Sequence, residues 1–407
     1  MDLFSTTDWI STLDILAAAQ GIFLAVLLVG RSVNRVANLY LALLMIVFSV
    51  DLLSAAYFIE GYDAKWPHLM GVDVVTGVLY GPLLYLYAHA LTGMRGAFHR
   101  RDLVHFLPCL ILLAVLAPFY MQSGEAKLLF RADPSSSGWT GIIEVIGYGK
   151  LVYGLVYLVL MFYLLRSHRR QIQTQYSTLD KVNLAWLTRV LIGGFGVWVV
   201  AAVAQIVWTW QGPGNDPVEG FGGFVSVFMV ILVYSIGYLG LRQPEIFQGV
   251  RAASNDLAVV HDGSLLIIDE SSEPEGPAVT SVESYSRSGL SEENRDRIHD
   301  QLVTVMEEDA PFKDPALTLQ QLAKVAGLTV HHGSEAINQS AGKNFYEFVN
   351  GYRVEDAKSR LMDPKFDRLT VLAIGMDAGF NSKSTFNSTF KKYTGLTPSA
   401  FKQTRQA

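Results

Sequence analysis

Two similar stretches near the end of the chain concentrate polar side chains whose hydrogen-bonding groups could recognise another polar molecule. They are Leu319–Ser340 and Leu372–Tyr393, hereafter the first motif and the second motif. In each, a small residue precedes a glycine by four positions: Ala323 and Gly327, then Gly375 and Gly379. A small residue lets two helices approach closely, and glycine adopts the backbone angles of a tight turn. The spacing therefore predicts two helix-turn-helix motifs, whose second helices would enter the major groove of DNA.

The N-terminal part of each second helix is where side chains reach base edges. The first motif offers His331, His332, Ser334, Glu335 and Asn338. The second offers Asn381, Ser382, Lys383, Thr385, Asn387 and Ser388. Three lysines are expected to meet phosphates, which fix the register without reading sequence: Lys343, Lys391 and Lys392. For any single one of these residues, a solvated surface role is the alternative. The pair His331 and His332 is not predicted to bind a metal, because adjacent helical residues point apart.

An amphipathic helix is predicted between the motifs, over Asn344–Met362, with an apolar stripe on one face. At about 1.5 Å per residue it is a rod of roughly 28 Å. A turn of DNA is roughly 34 Å long. The rod could therefore hold two recognition helices in adjacent major grooves on one side of a duplex. A further helix is predicted to start at a Ser291 cap and to run to about Asp309.

The end of the chain resembles the DNA-binding domains of AraC/XylS-type regulators over roughly 297–405. The residues that carry the resemblance are Gly379-Phe380, Ser384, Phe386, Phe390-Lys391-Lys392, Gly395, Thr397-Pro398 and, in the linking helix, Gly342–Phe345, Tyr352–Val354 and Ala357. The N-terminal half, with Gly81–Tyr87 and Gln243–Phe247, resembles the membrane-bound branch of that family. The resemblance implies a sequence-specific transcription regulator whose partners are double-stranded DNA and, in many members, a second copy of the chain.

Three residues depart from the pattern of that family. Gly333 stands where a leucine anchors the second helix of the first motif, Gly375 where alanine is usual, and Ser388 where arginine is common. Glycine inside a helix costs about 1 kcal/mol relative to alanine. Loss of a buried leucine side chain costs about 2–5 kcal/mol. The first motif is therefore predicted to be poorly ordered, or to dock only on DNA.

Charge divides the chain into three zones. Only 17% of the residues are charged, against about 25% in ordinary soluble proteins. Residues 1–251 consist mainly of long apolar runs, whereas residues 252–310 hold 3 basic and 14 acidic residues. Residues 311–407 hold 13 basic and 8 acidic residues. We expect a membrane domain at 1–247, an acidic and mostly flexible linker at 248–290 and the DNA-binding domain at 291–407. Within the linker, 258–268 carries a hairpin signal.

Seven stretches are apolar and long enough to cross a membrane, which takes about 17–25 residues. They are 10–30, 39–59, 72–91, 103–120, 142–165, 190–210 and 221–241. The odd-numbered loops between them hold 10 Lys and Arg residues and the even-numbered loops hold 3. Because basic loops stay in the cytoplasm, we expect the N-terminus outside and the DNA-binding domain inside a bacterial cytoplasmic membrane. The predicted fold is therefore all-α, a seven-helix bundle followed by the two-motif domain.

Ionisable groups inside membrane spans are costly and often functional. Asp51, Asp73 and His89 are the candidates for sensing a small-molecule or lipid signal. A position at the membrane interface is the alternative for Asp73 and His89. Cys109 is the single cysteine, which excludes an intrachain disulfide and a cysteine-based zinc site. We found no catalytic constellation and expect no cofactor and no enzymatic activity.

The sequence thus predicts a membrane-anchored transcription regulator whose bundle senses a signal. Two alternatives stay open. In one, the bundle is a transporter or an enzyme, with Asp51 and Asp73 as working groups and the DNA-binding domain as a regulatory appendage. In the other, the bundle is a passive anchor.

Overall fold

The computed structural model describes residues 6–93, 98–134, 138–179, 184–211, 223–241 and 291–405. They divide into two compact units. The first unit comprises Met1–His168 and Leu184–Glu245, and the second comprises Arg169–Asn183 and Ile246–Ala407. The predicted linker at 248–290, with its hairpin signal, lies outside the described residues.

The described part of the first unit is helical. Its helices are α1 (Thr6–Val29), α2 (Arg35–Ile59), α3 (Val72–Thr76), α4 (Tyr80–Leu91), α5 (Leu107–Tyr120), α6 (Gly124–Ala132), α7 (Trp139–Gln175), α8 (Ala185–Gln211) and α9 (Gly223–Leu241). Short 3-10 turns lie at Tyr62–Ala64, Pro67–Leu69, Gly77–Leu79 and Arg100–Phe106. Helix α7 continues past the boundary between the units, so its last residues belong to the second unit.

Among the described residues, six helical segments, rather than the predicted seven, are long and apolar enough to cross a membrane. They are Trp9–Val29, Arg35–Ile59, Pro67–Leu91, Arg100–Tyr120, Trp139–Gln175 and Ala185–Val207. The seventh predicted span is helical as α9, and within the described residues Val227–Ile236 forms a shorter apolar helix.

Close helix contacts at glycines hold the first unit together. A Cβ at Gly21 of α1 would collide with the Ser49 hydroxyl of α2, and one at Gly81 of α4 would lie 2.7 Å from the Tyr157 ring of α7. The core is formed by buried residues of α1, α2, α4, α7, α8 and α9. The outer faces carry large apolar side chains, such as Phe23 at 61% and Val152 at 66% exposure. Surfaces of this kind suit a lipid environment better than water.

The structure brings two of the three sensing candidates together. Asp51 of α2 accepts a hydrogen bond from Thr76, and Asp73 and Lys150 are near enough to interact with it electrostatically. His89 lies elsewhere, with its ring 5.9 Å from that of Tyr85. Sequence reasoning missed Asp14, which is buried in α1, and His105, whose Nδ1 lies 2.7 Å from the Tyr157 hydroxyl. Both lie in predicted spans, so the rule that flagged Asp51 could have flagged them.

The described C-terminal part of the second unit contains seven helices. They are α10 (Glu292–Glu308), α11 (Leu319–Val325), α12 (Val330–Gln339), α13 (Phe345–Met362), α14 (Val371–Asp377), α15 (Lys383–Thr394) and α16 (Pro398–Gln403). The predicted helix behind the Ser291 cap is confirmed, because the Ser291 hydroxyl accepts a hydrogen bond from the Asn294 amide.

Helix α13 separates two apolar clusters. Phe345, Phe348 and Val349, in its first half, pack with α10, α11 and α12. Val354, Ala357 and Leu361, in its second half, pack with α14 and α15. Each motif therefore has its own core, and the linking helix contributes to both.

Candidate nucleic-acid interface

The first motif is formed by α11 and α12, and local capping defines both helices. Thr318 begins α11 with a capping box: its hydroxyl accepts from the Gln321 amide, and the Gln321 side chain accepts from the Thr318 amide at 2.7 Å. Gly327 makes the turn with a φ of +68°. Thr329 caps α12 by accepting from the His332 amide at 3.2 Å. The chain therefore turns where the sequence predicted it to turn.

The predicted contact residues of the first motif all lie on α12. His331 and Asn338 are exposed, and His332, Ser334 and Glu335 are partly exposed. Asn338 donates a hydrogen bond to the Ser334 carbonyl at 2.9 Å, so it would have to exchange that bond for one to a base.

Gly333 is buried on the side of α12 that faces α11. A Cβ there would lie 3.7 Å from Leu319 Cδ1 and 3.9 Å from Ala323 Cβ, which are ordinary contact distances. The missing side chain thus leaves room beside α11. Poor order of the first motif stays a prediction.

The second motif is formed by α14 and α15 and has the same plan. Thr370 caps α14 through the Ala373 amide at 3.1 Å, and Ser382 caps α15 through the Thr385 amide at 3.2 Å. Gly379 makes the turn with a φ of +98°. A Cβ at Gly379 would also collide with the Phe312 carbonyl. Glycine is therefore required there by both backbone angle and space.

The predicted contact residues of the second motif lie on α15 and the turn before it. Lys383 and Ser388 are exposed, whereas Asn381, Ser382, Thr385 and Asn387 are partly exposed. Ser382 and Thr385 are joined by the helix cap and by a hydroxyl contact of 3.0 Å. Their first task is therefore to start α15. The Ser388 hydroxyl donates to the Thr385 carbonyl at 3.1 Å, which leaves Lys383 and Asn387 as the more available groups.

Gly375 has a different role from Gly333. A Cβ at Gly375 would lie 2.5 Å from Phe386 Cδ1. The ring of Phe386 therefore occupies the place of the usual alanine methyl group, and it packs with Phe380 and Phe390 at centroid distances of 5.1 and 5.6 Å.

The three predicted phosphate-contacting lysines are in different situations. Lys343 and Lys391 are exposed. Lys392 forms an ion pair of 2.9 Å with Glu347 of α13, so it ties α15 to the linking helix. The hydrogen bond from Lys392 holds the pKa of Glu347 below its usual range.

Arg353 was not assigned a role from sequence beyond its place in the family pattern. It lies on α13, and its side chain is fully buried. The Arg353 Nε donates to the Phe312 carbonyl at 2.8 Å, and Nη2 donates to the Asp314 carbonyl at 2.8 Å. Arginine is almost never fully buried unless it is paired, so its place in the family pattern was the one signal that the sequence offered.

The described residues contain no group of three His, Cys, Asp or Glu side chains that could hold a metal ion. The rings of His331 and His332 are 6.0 Å apart. The chemistry available on α12 and α15 is therefore hydrogen bonding by amides, hydroxyls, imidazoles and one carboxylate, with lysine charge nearby.

Comparison with known proteins agrees with this geometry. A family model described as a helix-turn-helix domain matches residues 322–404, which include most of both motifs. An uncharacterised HTH-type transcriptional regulator from Staphylococcus aureus strain COL is 33% identical over 91 residues, which are 22% of this chain and 12% of that protein. The melibiose operon regulatory protein of Escherichia coli K12 is 28% identical over 93 residues, 23% of this chain and 30% of its own length. No solved structure matches the chain at a significant level.

The family model lies in the C-terminal part of the chain, and the matches to the two relatives cover less than a quarter of this chain and a minor share of each relative. The C-terminal residues are thus a helix-turn-helix domain similar to those of transcription regulators.

Proposed function

We propose that the protein is a membrane-bound, sequence-specific DNA-binding transcription regulator of the AraC type. The observation that carries the proposal is one chain with both features: paired helix-turn-helix motifs similar to those of transcriptional regulators and six apolar helices of spanning length with exposed apolar faces. Regulation of transcription accounts for the first feature, and attachment to a membrane accounts for the second.

The DNA contacts follow from the two recognition helices. His331, Glu335 and Asn338 of the first motif, and Lys383, Asn387 and Ser388 of the second, are assigned to base edges. Lys343 and Lys391 are assigned to phosphates. Helix α13 has 18 residues, about 27 Å at 1.5 Å per residue. This length suits two binding sites about one helical turn of DNA apart.

The proposed membrane arrangement keeps the seven crossings inferred from hydropathy. Helix α9 has 19 residues, which corresponds to about 28 Å and matches a bilayer core of about 30 Å. Seven crossings and the basic odd-numbered loops support an N-terminus outside and a DNA-binding domain in the cytoplasm of a bacterium.

The proposed role of the bundle is to sense a signal. Asp51 accepts a hydrogen bond from Thr76 and interacts electrostatically with Asp73 and Lys150, so charged and polar groups lie among apolar helices. Charged groups within apolar spans are unfavourable in a membrane and often serve a function. A small-molecule or lipid signal acting there would alter the DNA-binding domain or its pairing with a second copy.

The DNA-binding part of the proposal is tested by genome-wide mapping of bound sites with the full-length protein. Discrete sites that share a two-part sequence are expected. The Lys383→Ala and Asn387→Ala variants are mapped for comparison. Uniform background binding by the full-length protein, no different from that of the variants, would contradict sequence-specific regulation.

The sensing part is tested by replacing residues 1–165 and 184–241 with unrelated membrane helices while keeping the C-terminal domain. A sensor predicts loss of the regulated response with DNA binding retained. An unchanged response would identify the bundle as a passive anchor.

A further inference from the structure

A short segment that directly follows α7 is built into the DNA-binding unit. It is Tyr176–Thr178, hereafter the strap, and it belongs to the second unit together with the end of α7. Tyr176 and Thr318 form an antiparallel bridge. Ser177 donates to the Leu317 carbonyl twice, from its amide at 3.2 Å and from its hydroxyl at 2.6 Å. The strap thus pairs with the residues that begin the first motif.

The strap also supplies acceptors to Arg353. The Ser177 carbonyl accepts from Arg353 Nη1 at 3.0 Å, the Ser177 hydroxyl accepts from Nη2 at 2.9 Å, and the Thr178 hydroxyl accepts from Nη1 at 3.2 Å. Asn350 donates to the same Ser177 carbonyl at 2.9 Å. Ser177 is 1% exposed and Arg353 is 0% exposed. The contact is therefore a buried, closely fitted one.

Without the strap, Arg353 would keep its bonds to the Phe312 and Asp314 carbonyls and a longer one of 3.4 Å to Asn350. Three of its acceptors would be lost. A buried cation that loses acceptors is strongly unfavourable. Burial lowers the pKa of Arg353 to about 10, which leaves it charged at neutral pH. Arg353 must then either keep its bonds to the strap or have its guanidinium group hydrated.

Arg353 lies where both motifs meet the linking helix. Its backbone belongs to α13, and its side chain binds the loop that leads into the first motif. A Cβ at Gly379, in the turn of the second motif, would lie 3.0 Å from Arg353 Nε. A change at the strap would therefore reach both recognition helices through a single side chain.

We propose that the strap is an intrachain docking element that couples the end of α7 to the DNA-binding domain, with Arg353, Asn350 and the Leu317 carbonyl as its socket. Helix α7 is continuous over 37 residues, and the strap follows it without an intervening loop. A displacement of the helix end therefore acts on the socket directly. This inference rests on the proposed function, because it describes how that function would be controlled.

The docking itself is tested by cross-linking in membranes. Tyr176→Cys and Thr318→Cys are combined with Cys109→Ser, which removes the native thiol. Cα atoms in antiparallel pairs are about 4.5–5.5 Å apart, within the range of about 4.4–6.8 Å for disulfides. A protease site inserted within 248–290 then lets a non-reducing gel show whether the cut fragments stay joined.

The matched control combines Tyr176→Cys with Thr370→Cys. Thr370 caps the second motif as Thr318 caps the first, so both variants lose one cap. Most of the first variant should stay joined after mild oxidation, and the control should separate. Equal joining in the two variants would overturn the docking contact.

The coupling is tested by Ser177→Ala, which removes the hydroxyl that contacts Leu317 and Arg353. Its control is Thr174→Ala, which removes a hydroxyl that bonds the Gln171 carbonyl in the same helix. With full-length protein in vesicles and a mapped DNA site, Ser177→Ala should change the dissociation constant about tenfold, the size of one bond to a charged group. Thr174→Ala should leave it unchanged.

The outcomes separate this inference from the proposed function. A joined strap with an unchanged dissociation constant for Ser177→Ala would reject the coupling. Failure of the unmodified protein to bind any mapped site would reject the proposed function instead, and the cross-linking result would still report on the strap.

Discussion

The two helix-turn-helix motifs share a backbone plan but differ in what holds them. The second motif is held from within, by Phe380, Phe386 and Phe390, and by the Lys392–Glu347 pair to the linking helix. The first motif has its own apolar core and is also bonded by polar groups of neighbouring segments. Helix α10 reaches it through Asp296, which accepts from the Ser340 hydroxyl at 2.8 Å, and through Gln301, which donates to the Ala326 carbonyl at 2.7 Å. The strap binds its starting residues.

The packing around Gly375 in the second motif also differs from that around Gly333 in the first. Phe386 packs directly on Gly375, whereas Gly333 leaves ordinary contact distance to Leu319 and Ala323. The space beside Gly375 is thus filled by Phe386, whereas Gly333 leaves room for a small side chain next to α11.

The largest expected effect comes from the core of the second motif. Phe386→Ala removes a ring that is 1% exposed and should lower the free energy of local unfolding by about 3–5 kcal/mol. Hydrogen exchange of the full-length protein should show lost protection in α14 and α15. Ile337→Ala, in the first motif, is the matched control and should affect α11 and α12. Equal loss across both motifs in both variants would show that they are not separate halves.

Replacing Gly375 or Gly333 by alanine should change the stability of the two motifs in opposite directions. Gly375→Ala forces a Cβ against the Phe386 ring and should destabilise the second motif by about 1–3 kcal/mol. Gly333→Ala gains helix propensity without a clash and should stabilise the first motif by up to about 1 kcal/mol. The measurement is again local hydrogen exchange. The same sign at both sites would refute the difference in packing.

Gly333→Leu extends this test to DNA binding. If the first motif is under-packed, the leucine should raise its protection from exchange and the affinity of the full-length protein for a mapped site. Unchanged protection together with unchanged affinity would show that the glycine does not weaken the motif.

The recognition helices should read separate parts of the binding site. Asn387→Ala and Asn338→Ala are each expected to cost about 1–3 kcal/mol of binding and to relax base preference in different half-sites. Lys391→Ala should instead weaken binding to all sequences and reduce the salt dependence by about one unit. Binding to a randomised DNA library at several salt concentrations distinguishes these results. Relaxation at the same positions by both asparagine variants would argue against two separate reading helices.

The smallest effect concerns the ion pair that ties the second motif to the linking helix. Because the folded-state pKa of Glu347 is lowered, its contribution is present above the usual carboxylate range and is lost as pH falls through the folded value. Glu347→Gln should cost at most about 1 kcal/mol at neutral pH and should remove this part of the acid sensitivity. Exchange rates in α15 between neutral and acidic pH provide the measurement. An identical acid response in the variant would exclude the pair as its source.

Local features of the C-terminal domain could be predicted from sequence, because caps and turns depend on nearby residues. The helix from Phe345 to Met362 begins one residue after the predicted start, and Gly327 and Gly379 make the turns. The contact of Phe386 with Gly375 could not be predicted, since an unusual glycine does not reveal which side chain fills its place. The Lys392–Glu347 pair links residues 45 positions apart and likewise leaves no local pattern.

The contacts of the strap could not be predicted from sequence either, because Ser177 and Leu317 are 140 positions apart. The stretch containing Ser177 reads as a basic loop between two membrane spans, and nothing in it points to Arg353. In the first unit, hydropathy identified the apolar helices, because it depends on composition.

The distance along the chain between the strap and its partners has a consequence for synthesis. Ser177 precedes Leu317 by 140 residues and Arg353 by 176. The ribosome therefore makes the strap well before the socket, with α8, α9 and the acidic segment in between. The socket cannot be filled by the growing chain until the last of its residues has been translated. Translation order thus makes the strap contact a late event, completed after most of the apolar helices have been made.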